Sequence, residues 1–455
     1  MYARPPVVIL AAGCGERLCE DEKKPPKPLI PVLGLTLLER VILSCKGAGI
    51  EEFFIVLGYR EAEIEPRFPE WRKKYKVSIT TVKNQDWRNG NGTSALACSP
   101  FLSSAFLLVM CDHLFDPQVI AQLIAEGKDG EACYVVVDRR TEQVFDIEDA
   151  TRVQVQDGRI SAIGKGLEAY NAVDTGIFLC WPFLFDALRQ AQLEGDGTLS
   201  GGIRGLAKQK RMKAVDLGEH FWLDVDTPKA LKHARKLLMK RLVKTDEDGF
   251  ISQWFNRPLS VRFSAQLVTH CPFEQVTPNM ISLASFFLIL LGAFLFVFGG
   301  YAVSLAAGVL CQIGSIMDGC DGEVARLTFR TSRFGAWMDT LFDRYGDAVI
   351  VAGVSYGFWR FHPTPWVWLG GIFALTGFLL ASYTKKEYAI RYGGRFPNKG
   401  VWATLIKRDL RIFMVLLGAI LGYPYFFLLA IGVTSHLGIG QLFWQVYKGR
   451  QTVTR

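Results

Sequence analysis

The sequence predicts an α/β Rossmann-like domain followed by an all-α domain of six transmembrane helices. Short apolar runs alternate with helical patterns before residue 230, long apolar stretches begin near residue 280, and basic clusters flank those stretches. With 455 residues, the chain is long enough for two or three domains. We place the first domain at 1–230, a basic connector with juxtamembrane helices at 231–277, the membrane domain at 278–447 and a cytosolic tail at 448–455.

The first domain is predicted from alternating strand and helix patterns. The strand candidates lie at 7–12, 53–57, 77–82, 106–110 and 134–137, and helix-like spacing occurs at 37–48 and 117–125. This alternation favours a mostly parallel sheet. A basic helical pattern then opens the connector, where an ordinary surface helix and a helix at the lipid interface are equally good interpretations.

A glycine-rich turn follows the first strand candidate. It contains Gly13, Gly15 and Arg17, and Lys27 lies in the basic segment after it. Such a turn lets backbone N–H groups approach phosphates closely, and nearby cations neutralise the phosphate charge. Many strands end in a glycine turn for steric reasons alone. The prediction of a phosphate-binding turn therefore depends on the order of the motifs that follow.

Further polar motifs follow in a fixed order along the domain. NGTSAL contains Gly92, MCDH contains Asp112, Lys165 follows a glycine, and WLDVDTP contains Asp224 and Asp226. Asp112 ends an apolar strand candidate, where α/β sheets bind ligands and where a carboxylate suits Mg²⁺; taken alone, it fits a helix N-cap equally well. The ordered set resembles the nucleotidyltransferase family, which makes sugar nucleotides and CDP-alcohols from an NTP and a phosphorylated alcohol.

The resemblance covers about residues 5–230 and implies roles for these motifs. The residues implied to bind the NTP are Gly13, Gly15, Arg17, Lys27 and Gly92. The two cations in this set would be catalytic, because in-line attack on the α-phosphorus needs positioning and charge neutralisation. Mg²⁺ or Mn²⁺ would bind Asp112 and one of Asp224 and Asp226, and Lys165 would contact the acceptor phosphate.

The membrane domain is predicted from apolar stretches long enough to cross a bilayer. They lie at 281–298, 302–316, 348–359, 366–383, 412–425 and 426–444, and the second and third count as spans only if the polar region 317–347 continues them. Alternate links between them are strongly basic, as is the C-terminal tail. The positive-inside rule therefore predicts a multi-pass protein of the cell membrane with the first domain and both termini in the cytoplasm.

Four aspartates interrupt the apolar half between two of these spans. Asp318 and Asp321 are three residues apart, and Asp339 and Asp343 are four apart, so on helices each pair shares one face. Carboxylates in membrane helices are energetically expensive, and four close together need divalent cations to neutralise them. Helix capping beside arginines accounts for one or two of these aspartates but not for all four.

The full pattern is DxxDGxxAR, eight residues, then GxxxDxxxD, and it resembles the signature of the CDP-alcohol phosphotransferase family. The resemblance covers about residues 270–447. It implies that Asp318, Asp321 and Asp339 hold two metal ions, Mg²⁺ or Mn²⁺, across a CDP pyrophosphate. Asp343 would share in metal binding and act as general base for the acceptor hydroxyl. The residues implied to shape the nucleotide pocket are Gly322, Ala325 and Gly335.

Three cations after the fourth apolar stretch, Lys385, Lys386 and Arg391, are candidates for binding an acceptor phosphate. Simple anchoring of a helix by the positive-inside rule explains them equally well. The net charge of +8 is concentrated beside the apolar stretches, which favours a bilayer and anionic phosphates over nucleic acid. The family resemblance also implies a homodimer formed through the membrane helices, in contact with membrane lipids.

The fusion itself suggests that the first domain makes what the second consumes, so that the nucleotide is CTP. The combination resembles bifunctional enzymes that couple CTP:inositol-1-phosphate cytidylyltransferase to di-myo-inositol-phosphate phosphate synthase. By that resemblance, CTP and inositol-1-phosphate give CDP-inositol, which reacts with a second inositol-1-phosphate to release CMP. The alternatives are a lipid-synthesising phosphatidyltransferase that uses CDP-diacylglycerol and a membrane-anchored nucleotide sensor without catalysis.

Overall fold

The computed structural model describes residues 4–18, 23–127, 130–243, 249–271, 275–392 and 407–453. The chain divides into two compact units, Met1–Leu237 and Leu238–Arg455. The division falls within the helix Pro228–Leu242, which is part of the predicted basic connector.

The first unit is built on a twisted sheet with helices packed against it. Its strands are β1 Val7–Leu10, β2 Pro31–Val32, β3 Leu35–Thr36, β4 Glu52–Leu57, β5 Ser78–Lys83, β6 Phe106–Met110, β7 His113–Phe115, β8 Cys133–Asp138, β9 Arg152–Gln156, β10 Arg159–Gly164, β11 Ala172–Cys180, β12 Met212–Asp216 and β13 Trp222–Asp224. Its helices are α1 Leu37–Gly47, α2 Glu61–Ile64, α3 Phe68–Tyr75, α4 Asn91–Leu96, α5 Pro117–Glu126, α6 Phe183–Leu193, α7 Leu199–Lys208 and α8 Pro228–Leu242. Each strand and helix predicted above has its counterpart in this series.

The main sheet has the strand order β5-β4-β1-β6-β11-β8-β12-β10-β9 over the described residues. β1 pairs in parallel with β4 and with β6, and its four residues are all buried, as expected of a central parallel strand. The prediction of a mostly parallel sheet is correct for the part from β5 to β6, and beyond it only β8 and β12 pair in parallel among the described strands. β11 runs antiparallel to both β6 and β8, because β9 and β10 form an antiparallel pair and β11 returns beside them.

The second unit is helical throughout the part that the structure describes. A short π-helical turn, Ser252–Asn256, leads into its helices, which are α9 Arg257–His270, α10 Pro278–Phe296, α11 Tyr301–Leu327, α12 Arg333–Trp359, α13 Pro365–Tyr392, α14 Arg408–Leu421 and α15 Pro424–Val453. The polar region 317–347 does continue the second and third apolar stretches, because α11 and α12 run through it.

Four of these helices are long and apolar enough to cross a membrane, counting only described residues. They are Pro278–Phe296, Tyr301–Leu327, Pro365–Tyr392 and Pro424–Lys448. Two predicted spans do not qualify by themselves: α14 has 14 residues, fewer than the roughly 20 that span a bilayer, and α12 carries charged residues through its first half. The structure therefore supports a membrane protein with four candidate spans.

Glycines let α10, α11 and α12 pack closely. A Cβ added at Gly353 of α12 would collide with the backbone carbonyl of Ala293 on α10, and one added at Gly292 would meet the Cys311 sulfur of α11 at 2.6 Å. Small residues at such crossings are typical of helix packing in membranes. This close packing brings the C-terminal half of α11 and the N-terminal half of α12, which carry the aspartates, to the same region of the unit.

Candidate active sites

The first candidate site lies where β6 ends. Asp112 lies two residues beyond this strand, and the antiparallel β7–β13 ladder places His113 opposite Asp224. One ligand atom from each of these three residues lies within 4.8 Å of the other two. We call these three residues the first-site cluster. Its carboxylate and imidazole groups can hold a divalent cation, and His113 is a member that the sequence motifs did not identify.

Lys27 joins this cluster from the opposite side. Its ammonium group forms ion pairs with Asp112 and Asp226, and the side chain is only 9% exposed. Burial lowers the pKa of Lys27, but the carboxylates of Asp112 and Asp226 outweigh it and raise the pKa above its ordinary value. Lys27 and His113 likewise overcome the effect of burial on Asp112 and hold the pKa of that carboxyl well below its usual range. A fixed positive charge therefore faces an ionised carboxylate.

Asp224 and Asp226 differ in their partners. Asp226 is paired with both Lys27 and Arg17. Asp224, in contrast, has a buried Oδ1 atom without a hydrogen-bond partner among the described residues. Burial, together with the negative charge of Asp112, raises the pKa of Asp224 to about 7. Asp224 therefore differs from Asp226 in keeping a buried oxygen atom without a hydrogen bond from the described residues.

A fourth carboxylate, that of Asp149, connects two further cations of the site, Arg17 and Lys165. It pairs with Arg17 at 2.5 Å and with Lys165 at 2.8 Å, although the three residues are far apart in sequence. Asp149 and Lys165 border a cavity of about 220 Å³ that is also lined by Asp112 and Asp224. The structure thus places the predicted Lys165 at this cavity and links the predicted Arg17 to it through Asp149, a further polar residue that sequence reasoning missed.

The three glycines predicted for nucleotide binding differ in what surrounds them. Gly15 has a φ of +64°, and a Cβ there would lie 2.8 Å from the side chain of Lys27. At Gly13, nothing lies within 4 Å of an added Cβ. Gly92 packs against the backbone of Gly197, whose carbonyl oxygen an added Cβ would meet at 2.6 Å, so close packing alone requires this glycine.

Gly15→Ala is expected to destabilise the first unit by about 1 kcal/mol or more, because alanine tolerates a positive φ poorly and its methyl group would displace Lys27. Gly13→Ala is the matched control, since its methyl group enters open space. Thermal unfolding of the purified full-length chain in detergent measures both. Equal unfolding temperatures for the two variants would contradict this account of the turn.

The second candidate site lies between α11 and α12. Asp318, Asp339 and Asp343 each place one carboxylate oxygen within 4.8 Å of the others. We call these three residues the second-site cluster. Asp321 lies outside this group, because its carboxylate accepts hydrogen bonds from the Ser282 hydroxyl and the Gly322 backbone. The two helices thus bring together three of the four predicted aspartates, with the oxygen ligands that divalent cations prefer.

Arg408, from α14, enters this cluster. Its guanidinium lies 2.5 Å from Asp343 and 3.1 Å from Asp318. The expectation that divalent cations alone balance these carboxylates is therefore incomplete, because one arginine already contributes positive charge. Asp347, one turn beyond Asp343 and buried, lies 3.2 Å from Arg344 and 3.1 Å from Arg411. These arginines follow the motif at variable distances, so local spacing did not reveal them.

The remaining predicted residues of this half lie around the cluster with different partners. The Gly335 backbone amide donates to the Ser332 hydroxyl at the start of α12, and Ala325 is buried. At Gly322, an added Cβ would meet the Arg326 guanidinium at 3.2 Å.

The three cations predicted for the acceptor phosphate all lie on α13. Lys386 donates to the Thr340 hydroxyl at 3.3 Å, next to Asp339, and is thus close to the second-site cluster. Arg391 pairs with Glu387 of its own helix at 2.5 Å. Lys385 is half-buried on the same helix.

Comparison with known proteins finds a different family for each half of the chain. The family described as MobA-like NTP transferase domain matches residues 7–272, and the family described as CDP-alcohol phosphatidyltransferase matches residues 275–439. The solved structure of the inositol-1-phosphate CTP transferase from T. maritima is 25% identical, with a TM-score of 0.45, and covers 51% of this chain and 95% of that one.

Relatives that match both halves at once are more informative. The chain is 33% identical over 451 residues to the bifunctional IPC transferase and DIPP synthase of Aquifex aeolicus, which covers 98% of this chain and 99% of the relative. It is 36% identical over 440 residues to the protein of the same name from Rubrobacter xylanophilus, covering 94% of this chain and 93% of the relative. The resemblance predicted from the motifs is thereby confirmed, and the chain belongs to the family of bifunctional IPC transferases and DIPP synthases.

Proposed function

We propose that the chain makes CDP-inositol from CTP and inositol-1-phosphate, releasing pyrophosphate, and then uses it in a second reaction. There the inositol phosphate group is transferred to another inositol-1-phosphate, which releases CMP and gives phosphorylated di-myo-inositol phosphate. The observation that carries this proposal is the presence, in one chain, of two separate acidic clusters, each with cations beside it. The names of full-length relatives support the choice of substrates.

In the proposed first reaction, a phosphate oxygen of inositol-1-phosphate attacks the α-phosphorus of CTP, and the bond to the leaving pyrophosphate breaks. Arg17 and Lys27 bind the triphosphate, and Lys165 binds the attacking phosphate. Mg²⁺ or Mn²⁺, which Asp112 and Asp224 would hold, supplies further charge neutralisation when bound. The unpartnered Oδ1 of Asp224 supports its choice over Asp226. The reaction depends on positioning and charge, since phosphate needs no strong base to attack.

In the proposed second reaction, Asp343 accepts the proton of an acceptor hydroxyl, whose oxygen attacks the β-phosphorus of CDP-inositol while CMP leaves. Asp318, Asp321 and Asp339 would hold two divalent cations, which stabilise the leaving CMP when bound. The grouping of Asp318 and Asp339 with Asp343 within 4.8 Å supports two of these three ligands. Lys385 and Lys386 bind the acceptor phosphate in this proposal, whereas the pairing of Arg391 with Glu387 makes its part weaker.

We also propose that all six helices from α10 to α15 cross the cell membrane, with both termini in the cytoplasm and a homodimer formed through this unit. Large apolar side chains such as Phe287, Leu369 and Phe443 are exposed on helix surfaces, as expected for contact with lipid or a second copy. The positive-inside rule supports the orientation. Labelling of engineered cysteines in the links between helices, from each side of sealed vesicles, tests both the number of spans and their sidedness.

The test of the proposed function uses the purified full-length protein in detergent with Mg²⁺, CTP and labelled inositol-1-phosphate. Pyrophosphate and CDP-inositol are expected to appear together, and CMP is expected to follow. A parallel reaction with CDP-diacylglycerol tests the lipid-synthesising alternative, which predicts CMP release only in that reaction. The proposal fails if neither CDP-inositol nor CMP forms from CTP and inositol-1-phosphate.

A further inference from the structure

A polar cavity of about 180 Å³ adjoins the second-site cluster. Its walls include Ser252, Asn256, Ser315, Asp318, Asp343 and Arg408. Ile316 contributes the one apolar side chain among the described residues that line it. Such a lining is unsuited to an acyl chain or an aromatic ring, since neither could pair with its polar groups.

The wall formed by the juxtamembrane segment is firmly attached. Glu323 of α11 is fully buried, and its carboxylate accepts hydrogen bonds from Arg257 at 2.8 Å, Ser260 at 2.7 Å and Ser264 at 2.8 Å. A buried carboxylate with three donors fixes the position of its partners. Helix α9 and the turn before it are therefore held against α11, and the cavity is a built feature of this unit.

Polar groups on the cavity wall retain unused hydrogen-bonding capacity. Asn256 is only 6% exposed, and its side-chain oxygen accepts from Gln312 at 2.8 Å, while its amide group has no acceptor in the described part of the chain. The hydroxyl groups of Ser252 and Ser315 likewise make no hydrogen bond with any described residue. Polar groups in such positions are normally paired, so they indicate a ligand that carries several donors and acceptors.

We propose that this cavity binds the polyhydroxylated ring of the acceptor, with Ser252, Asn256 and Ser315 as specificity-determining residues. The inference rests on the proposed second reaction, in which Asp343 receives the proton of the acceptor hydroxyl. Because Asp343 borders the cavity, a ring held there has a hydroxyl within reach of the base. The inositol ring of the CDP-inositol donor carries the same hydroxyl groups. In the donor, however, the β-phosphorus must face the attacking oxygen, whereas in the acceptor a ring hydroxyl must face Asp343.

Ser315→Ala tests the assignment in the full-length protein, supplied directly with CDP-inositol and Mg²⁺ so that the first reaction is bypassed. We expect the KM for acceptor inositol-1-phosphate to rise roughly ten-fold, the effect of one lost hydrogen bond, while the KM for CDP-inositol stays unchanged. Ser315→Thr retains the hydroxyl and should restore most of the acceptor affinity. Ser304→Ala is the matched control, since it removes a buried serine hydroxyl from the same helix outside the cavity.

A second measurement separates recognition from a structural defect. Glycerol-3-phosphate offers the same phosphate with fewer hydroxyls, so the wild-type protein should prefer inositol-1-phosphate, and Ser315→Ala should reduce this preference. An unchanged preference, or a rise confined to the KM for CDP-inositol, would overturn the inference. Failure of the wild-type protein to release CMP would instead refute the proposed second reaction itself.

Discussion

Asp343→Asn is expected to stop CMP release while CDP-inositol accumulates from CTP and inositol-1-phosphate. The amide has nearly the same shape as the carboxylate, but it cannot accept the proton of the acceptor hydroxyl. Loss of a general base typically lowers a rate by about 10²–10⁴-fold. The expected effect is larger still, because the same side chain belongs to the second-site cluster and pairs with Arg408 at 2.5 Å.

The measurement is simultaneous quantification of CDP-inositol and CMP by chromatography after incubation with labelled inositol-1-phosphate. Formation of CDP-inositol serves as an internal control that the protein is folded and the first site is intact. Asp186→Asn is the matched carboxylate-to-amide change, at an exposed residue of α6 outside both sites, and should leave both rates near those of the wild type. Undiminished CMP release by Asp343→Asn would exclude this residue as the general base.

Asp112→Asn is expected to block CDP-inositol formation while leaving added CDP-inositol fully usable. Asp112 is the carboxylate that both Lys27 and His113 contact, and it belongs to the first-site cluster. Its replacement removes a ligand for the proposed cation and half of the charge that holds Lys27. A loss of such electrostatic stabilisation costs on the order of 10²–10³-fold in rate.

Two separate assays check this prediction: pyrophosphate release from CTP and inositol-1-phosphate, and CMP release from CDP-inositol and inositol-1-phosphate. The first should be lost and the second retained. Asp186→Asn, at a side chain that is 78% exposed on α6, is the matched control. If the Asp112 variant loses both activities while still folded, the two sites do not act independently and the proposed division of labour is wrong.

The motif that follows the fourth strand candidate indicated the position of Asp112 in the fold, but the geometry of the first candidate site depends on long-range pairing. That Asp112 lies just beyond β6 is visible in the sequence, because an apolar run precedes it. That His113 lies opposite Asp224 depends on the β7–β13 ladder, whose strands have three residues each and are too short to leave a periodic pattern. The choice between Asp224 and Asp226 was open for the same reason, since only their partners distinguish them.

In the membrane unit, the spacing of the aspartates determined which of them share a helix face, because helical periodicity is a local property. The uneven distribution of apolar residues likewise determined the two-part organisation and the soluble and membrane classes. Only the tertiary structure decided three other features. Arg408 contacts Asp343, Asp149 bridges Arg17 and Lys165, and a polar cavity lies beside the juxtamembrane turn. Each of these features brings together residues from elements that are distant in the sequence. Such contacts arise from the packing of whole helices and strands and leave no local sequence pattern.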